Sequence, residues 1–446
     1  MPVLQDVDKS ERRSPARSME ARAAAALKAL LRDLADRAPS NVAVRLWDGS
    51  VVPLSAEADG APAATLVIRT PLALRAIARR PSLTSAFEVV AGGMIEIEGA
   101  SPLEALRAFD YLGTVTFVRS LGARGFVRRL WPFLFVKGAN AEGSFAYRGA
   151  GDDASEVRHH YDVSNAFYRL FLDERMVYSC AYFERPDATM DEAQRAKLDM
   201  SCRKMRLKPG ARVLDIGCGW GALAIHAARH YGAQVVGITL AEEQHALAAE
   251  RVREAGLEDR VSIELKDWRD LDGTEAFDAV VQIGMFEHVG RADHEPFLRA
   301  VRRLLKPDGV YLHHAITRRN VRLTWGQRQL GYAKVIDRYI FPGFELDHIG
   351  RTLADMERCR LEPLDVEGWR DHYARTCALW SERLWERREE AVAQVGEAVT
   401  RMWLLYLAMV TIGFERSNLA IFQTVATRRR VGPPPLPATR ADLYAD

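Results

Sequence analysis

The sequence predicts an α/β chain: a Rossmann-like domain with a parallel sheet, preceded by a smaller α+β domain. Three observations carry this. From about Gly210 short apolar strands alternate with amphipathic helices, the pattern of a parallel sheet covered by helices on both faces. A glycine-rich loop stands between the first of those strands and its helix. The first 110 residues instead read as short strands and hairpin turns mixed with helices. A length of 446 residues accommodates two or three domains at roughly 150 residues each.

Composition removes other classes. With 48% apolar and 27% charged residues the chain is neither disordered nor largely embedded in a bilayer. Lys and Arg total 62 against 60 Asp and Glu, a net charge of +2, too small for a uniformly polyanion-attracting surface. The longest apolar stretch, Met402 to Gly413, falls short of the roughly twenty residues of a membrane span. The N-terminus alternates charges (Asp6, Asp8, Lys9, Glu11, Arg12, Arg13) and lacks a secretory pattern, so an intracellular protein is expected. Five cysteines, Cys180, Cys202, Cys218, Cys359 and Cys377, are scattered without ligand spacing. They read as reduced thiols, with no metal site.

Taken in order, residues 1–20 read as flexible, and an Ala-rich amphipathic helix runs from about Met19 to Ala35. The α+β domain covers 21–110, with strands at Val42 to Trp47 and Thr65 to Thr70, turns at Asp48-Gly49 and Asp59-Gly60, and helices near Pro71 and Pro102. Residues 111–150 carry six basic residues (Arg119, Arg124, Arg128, Arg129, Lys137, Arg148) against Glu142 alone. Phe117, Phe126, Trp131, Phe133 and Phe135 lie between them. Such a segment suits the headgroup level of an anionic bilayer, and equally a helix with core aromatics and solvated arginines. Pro132 and Gly138 are expected to break a helix here, which keeps a linker open as a third reading.

Strands follow at Arg212 to Ile216, Gln234 to Gly237, Val261 to Glu264, Phe277 to Gln282 and Gly309 to His313. Helices are expected at Ala222 to Tyr231, Glu242 to Ala255 and His294 to Leu305, with Lys306-Pro307-Asp308-Gly309 as a turn. The second domain runs from 151 to 430 with C-terminal helices, and 431–446 reads as a flexible tail.

The loop Asp215-Ile216-Gly217-Cys218-Gly219-Trp220-Gly221 has the right context for a nucleotide, since glycines let the backbone turn tightly against a ligand at a helix N-terminus. Because Ala222 follows, the letters also satisfy the dinucleotide fingerprint. A NAD site, however, places an acid at the end of the second strand, and here that strand ends Gly237-Ile238-Thr239-Leu240. Asp215 before the glycines and Gly221 after them fit an S-adenosylmethionine loop better, and with it a class I methyltransferase fold.

Arg212 to Gly221, RVLDIGCGWG, together with Gly284 to Gly290, GMFEHVG, resembles the cyclopropane-fatty-acyl-phospholipid synthase family. His160-Tyr161-Asp162 with Asn165, Tyr178 to Tyr182, Leu207 to Gly210 and Tyr339 to Pro342 stand in the family's order. The mycolic acid cyclopropane synthases look similar over the same region, about 155 to 425. The resemblance implies methyl transfer from S-adenosylmethionine to a double bond in an acyl chain, then loss of a proton from the new methyl and ring closure, with bound bicarbonate as base. It implies a bicarbonate pocket of Cys180, Glu287, His314 and Ile316. It further implies cofactor contacts from Tyr178 and Ser179, from the loop Val213 to Gly221 (Val213, Asp215, Gly217, Cys218, Gly219, Trp220, Gly221), from Thr239 and Gln244 at the ribose, and from Trp268 with Arg269 near the adenine.

Two departures stand out. Where the family has Trp-Tyr-Glu-Arg, this chain has Trp380-Ser381-Glu382-Arg383, so Ser381 with a water, or the ring of Tyr373 or Tyr406, takes the place of a phenol. Val410 stands where many members carry a cysteine in the C-terminal helix, so no thiol nucleophile is assigned. The expected substrate is an unsaturated phospholipid at a membrane surface, met by a cytoplasmic protein at the inner face of the cell membrane, with no nucleic acid partner. A methyl-branched or methylene product, and a lipid-binding protein with a decayed site, remain rival readings. The apolar face of Trp380 to Thr411 is left open to lipid, core or the second subunit of a homodimer.

Overall fold

The computed structural model describes residues 15–55, 61–136, 163–321, 333–341 and 343–444, which fall into two units. The motif residues His160, Tyr161, Asp162 and Pro342, and the part of the basic segment from 137 to 150, lie outside these.

In the N-terminal unit a helix, Pro15–Arg37, begins earlier than the apolar pattern suggested. It buries Ala23, Ala24, Leu27, Leu31 and Leu34, one stripe at helical spacing, against a four-stranded sheet. The strands are β1 (Val42–Arg45), β2 (Val51–Pro53), β3 (Ala64–Ile68) and β4 (Ile95–Glu98), in the order β2-β1-β3-β4. The β1–β2 hairpin turns at Gly49, whose φ of 81° favours glycine, and Asp48 accepts the Ser50 amide at 3.0 Å. Helices Leu72–Arg79 and Pro102–Ala108 stand where expected; the second opens with a Ser101–Glu104 capping box.

The segment read as linker or lipid contact forms two helices, Tyr111–Ser120 and Gly122–Leu134, and Phe117, Phe133 and Val136 join the core of this unit. Pro132 does not break the second helix; it sits in its last turn. The core reading of the aromatics holds for Phe117 and Phe133 and fails for Trp131 and Phe135, which are 57% and 56% exposed.

The second unit is built on seven strands in the order β10-β11-β9-β8-β5-β6-β7. These are β5 (Arg212–Ile216), β6 (Gln234–Thr239), β7 (Val261–Leu265), β8 (Phe277–Ile283), β9 (Leu305–Arg318), β10 (Leu361–Gly368) and β11 (Leu419–Arg428). Strands β5 to β9 pair parallel, and β11 runs antiparallel between β9 and β10. The expected turn at Lys306 to Gly309 is a bulge instead: pairing jumps from Phe277 with Leu305 to Ala279 with Val310, leaving the four residues between looped out of register.

Two helices close the sequence before β11, Arg370–Glu386 and Arg388–Glu415. The latter is long and apolar enough, by length and composition, to cross a membrane. Gly396, at φ 78° and ψ 165°, breaks it, and Leu407, Ala408, Thr411 and Phe414 are all but fully buried, as in a core helix. The tail segment, expected to be loose, is tied down at Asp442 and Leu443. Leu443 is buried, its carbonyl accepts from Arg203, and Asp442 pairs with Arg206.

Candidate active site

A cavity of about 410 Å³ opens beside the carboxyl ends of β5, β6 and β8, the usual ligand position of an open α/β sheet. Its two ends are built differently. At one end Gly217 and Gly219 line the wall, with Gly221 behind it, packed towards Ala248; their φ of 81°, 55° and 78° are left-handed backbone that glycine adopts without strain. A Cβ on Gly217 would come within 2.8 Å of the Met285 side chain, whereas one on Gly219 would stand in open space, so the loop leaves a cradle. Amides of Gly217 and Cys218 both donate to the Ile238 carbonyl, pinning the loop to β6. The Trp220 indole donates to Asn165 Oδ1 at 2.7 Å, tying in the one described residue of the first motif.

Tyr178, Ser179, Asp215, Cys218, Trp220, Thr239, Gln244 and Trp268 line this cavity. Thr239 Oγ1 donates to Gln244 Oε1 at 3.0 Å, so the two expected ribose ligands hold each other in place. Val213 is buried in the sheet core and is off the wall. Arg269 also stands back: it lies over the Trp268 ring at 4.6 Å and pairs with Asp267 and Asp293. The glycine cradle, the Thr239–Gln244 pair and the Trp268 ring fit S-adenosylmethionine.

The other end is aromatic and aliphatic, walled by Tyr178, Phe341, Phe344, Leu407, Val410 and Phe414. Into it faces one carboxylate, Glu287, which is 3% exposed. Gln282 Oε1 accepts the amides of Met285 and Phe286 and so fixes the short turn Phe286–His288 that carries Glu287. Glu287 Oε1 accepts from the Ile316 amide at 2.6 Å, while Oε2 is buried with no partner among the described residues. Burial pushes this carboxyl up to about 7, since the backbone N–H groups of Ile316 and of Glu287 itself only partly offset desolvation. The Ile316 amide, expected to hold bicarbonate, is thus taken by Glu287.

His314 lies two residues from Ile316 on the same face of β9, fully buried. Its Nδ1 meets Gln423 Nε2 at 2.9 Å, and its Nε2 has no partner among the described residues. Desolvation holds the ring neutral, well below its ordinary pKa. Glu287 lines the cavity and His314 stands behind the wall; the orphaned Glu287 Oε2 and His314 Nε2, with Ser381 Oγ, are buried polar atoms whose donors and acceptors suit a small oxyanion, so bicarbonate fits the chemistry of the set.

Cys180 does not reach the wall; its thiol points back at the Ala181 carbonyl at 3.3 Å, and burial keeps it protonated. Ser381 is also off the wall, buried, with Oγ unpartnered among the described residues. Tyr373 and Tyr406 line the cavity, as do Tyr168 and Tyr178; burial raises the Tyr373 and Tyr406 phenols, and the charge of Glu287 adds to it. Cys377 lines it too, held as a neutral thiol by burial.

Sequence reasoning missed the helix Met190–Lys204 entirely. Gln194, Lys197, Ser201 and Lys204 are 0–2% exposed at a spacing of three, four and three residues, a buried stripe made of polar side chains. Gln194 donates to the carbonyls of Val177 and Ser179, and Lys197 to Ser179 Oγ at 3.0 Å. Desolvation lowers the Lys197 ammonium to about 8, opposed first by the charge of Asp173 and last by that of Asp215, and raises the Asp215 carboxyl to about 7, opposed by the charge of Lys197. In sequence a polar stripe reads as a solvated face, so no signal separated it from one.

The fold and the glycine loop define a class I methyltransferase that uses S-adenosylmethionine. Residues 150–424 match the mycolic acid cyclopropane synthetase family, and the chain belongs to it. It is 38% identical over 90% of its length to a probable fatty acid methyltransferase of Pseudomonas putida, 95% of which is covered. It is 37% identical over 61% of its length to the cyclopropane-fatty-acyl-phospholipid synthase of Escherichia coli K12, 67% of which is covered. Among solved structures it resembles the mycolic acid cyclopropane synthase CmaA1 complexed with SAH and CTAB, at 34% identity and a TM-score of 0.57, over 61% of this chain and 97% of that one.

Proposed function

We propose that the protein transfers the methyl group of S-adenosylmethionine to the double bond of an unsaturated acyl chain in a phospholipid and closes a cyclopropane ring. One observation carries this reading: a single cavity joins the glycine cradle to an apolar chamber with one carboxylate, Glu287, at its wall. Bound in the cradle, S-adenosylmethionine supplies an electrophilic methyl. An alkene is a weak nucleophile, so the chamber's contribution is to exclude water and hold the chain in line, where proximity and orientation lower the barrier. Carbon–carbon bond formation leaves a positive charge on the acyl chain. Ionised Glu287 stabilises that charge electrostatically, at short range in an apolar site. A base then takes a proton from the added methyl as the ring closes. Glu287, His314 and the phenols of Tyr373 and Tyr406 would hold bicarbonate for that role, which the resemblance suggested for this family.

The rival outcome is a methyl-branched or methylene chain. The probable fatty acid methyltransferase among its relatives, and Ser381 in place of a phenol, favour keeping it in view. The lipid surface is supported by Val127 and Trp131, exposed on one helix, and Phe135, exposed just past its end, beside exposed Arg124 and Arg128. Arg129 is not part of this patch, since it pairs with Asp33.

The test is label transfer from methyl-labelled S-adenosylmethionine to vesicles of oleoyl or stearoyl phospholipid. Label is expected in the oleoyl lipid only; equal label in the saturated lipid or none in either sinks the proposal. For the surface, Arg124→Glu with Arg128→Glu should weaken binding to anionic vesicles, at roughly 1 kcal/mol per charge near the surface. Unchanged sedimentation with vesicles at low salt would reject the patch.

A further inference from the structure

The helix Met190–Lys204 and strand β11 meet behind the candidate site in a chain of buried polar contacts. Lys204, at 0% exposure, pairs with Glu367 and donates to Gln423 Oε1 at 2.7 Å. Its ammonium also lies 5.1 Å from the centroid of the Trp369 ring, and His314 meets the same ring edge-on at 5.2 Å. Gln423 stands directly opposite His314 in the β9–β11 register, with its Nε2 2.9 Å from His314 Nδ1.

The chemistry of these contacts leaves little freedom. An ammonium has three donors and no acceptor, so the Gln423 atom facing Lys204 must be its carbonyl oxygen. The amide nitrogen is thereby turned to His314 and donates to Nδ1. A nitrogen that accepts a hydrogen bond carries no proton, and the buried ring is neutral, so the proton sits on Nε2. Glu367 keeps the ammonium paired, and the Trp369 face favours its charge.

We infer that Lys204 and Gln423 are positioning residues that lock His314 in the Nε2–H tautomer, making it a hydrogen-bond donor to an oxyanion at the site and disqualifying it as the base that removes the methyl proton. The inference deepens the proposed function, and the donor role rests on that reading; the tautomer itself does not. It also assigns the proton-accepting role to some other group, the bound anion or Glu287.

The tautomer is read in the free protein labelled with ¹⁵N-histidine, by two-bond proton–nitrogen correlation, with the His314 signals assigned by their loss in His314→Asn. The wild type is expected to show a protonated Nε2 and a bare Nδ1. Gln423→Glu keeps the Lys204 contact but presents an acceptor to Nδ1, so the proton should move to Nδ1. In the label-transfer assay the same variant should lose about 10–100-fold in kcat, the usual cost of a misoriented ligand, with the dissociation constant for S-adenosylmethionine unchanged. Gln423→Met, uncharged and of similar size, should give a mixture of tautomers and serves if the glutamate variant does not fold. A wild-type His314 protonated on Nδ1, or on both nitrogens at neutral pH, overturns the inference. So does full kcat in Gln423→Glu with the proton moved. Absence of label transfer in the wild type would defeat the proposed function while leaving the tautomer result standing.

Discussion

The two ends of the cavity solve their tasks by opposite means. The cofactor end is made of backbone: three glycines at positive φ, amides pinned to Ile238, and a helix that starts at Ala222. The other end is made of side chains that are buried at a cost and held by others. Glu287 depends on Ile316 and on Gln282 beneath its turn, and His314 depends on Gln423. A backbone site tolerates change in its surroundings and fails when a Cβ is added. A site of buried polar groups fails when any support is removed, because an unpaired buried group costs the full desolvation penalty.

Glu287→Gln tests the difference most severely. Removing the charge should lower kcat by about 10²–10⁴-fold with cofactor affinity intact, the range of a lost acid–base or electrostatic group. Stability should move the other way. With Glu287 at about 7 in the fold and 4.5 in the unfolded chain, the native state binds a proton across that window that the unfolded chain has released. Stability therefore falls as pH rises from 4.5 to 7, and the glutamine variant escapes the loss, gaining on the order of 1–3 kcal/mol at pH 8 in denaturant titrations. The wild-type kcat should rise through about pH 7 as Glu287 ionises, and that rise should vanish in the variant. A variant with full activity, or one less stable than wild type at pH 8, would place the function of Glu287 elsewhere.

Gly217→Ala probes the backbone end. The new Cβ meets Met285 at 2.8 Å at a φ that strains alanine, so about 1–3 kcal/mol of stability and most cofactor binding should go, as read by thermal melts and calorimetry. Normal binding would mean the cradle is not where the cofactor sits. The smallest effect is expected from Thr239→Val. It removes the bond to Gln244 and one ribose partner, worth about 1 kcal/mol, or roughly a fivefold weaker dissociation constant with kcat unchanged.

The same division explains what the sequence disclosed. Strand–glycine–helix is a local pattern, so the cradle and the strands β5 to β8 were legible, whereas Thr239 and Gln244 came only by resemblance. Glu287, His314 and Ile316 came by resemblance, and their placement beside one another depends on the β8–β9 register. Lys197, Lys204 and Gln423 left no trace, because they act across separations that only the fold closes: Lys204 meets Gln423 over 219 residues. At the family's tyrosine position Ser381 and the rings of Tyr373 and Tyr406 were alternatives in the sequence, and the fold turns the two rings, not Ser381, to the cavity. The basic segment misled for a third reason. Its aromatics divide between core and surface within a single helix, and composition does not say which face is which.

The central claim is that cradle and chamber act on one substrate, and the product decides it most directly. Wild-type protein is incubated with ¹³C-methyl S-adenosylmethionine and oleoyl phospholipid vesicles, and the extracted lipid is examined by carbon and proton NMR. The account predicts label in a cyclopropane methylene, with loss of the olefinic protons. Label in a methyl branch or an exocyclic methylene, or a lipid that stays unlabelled, would contradict it.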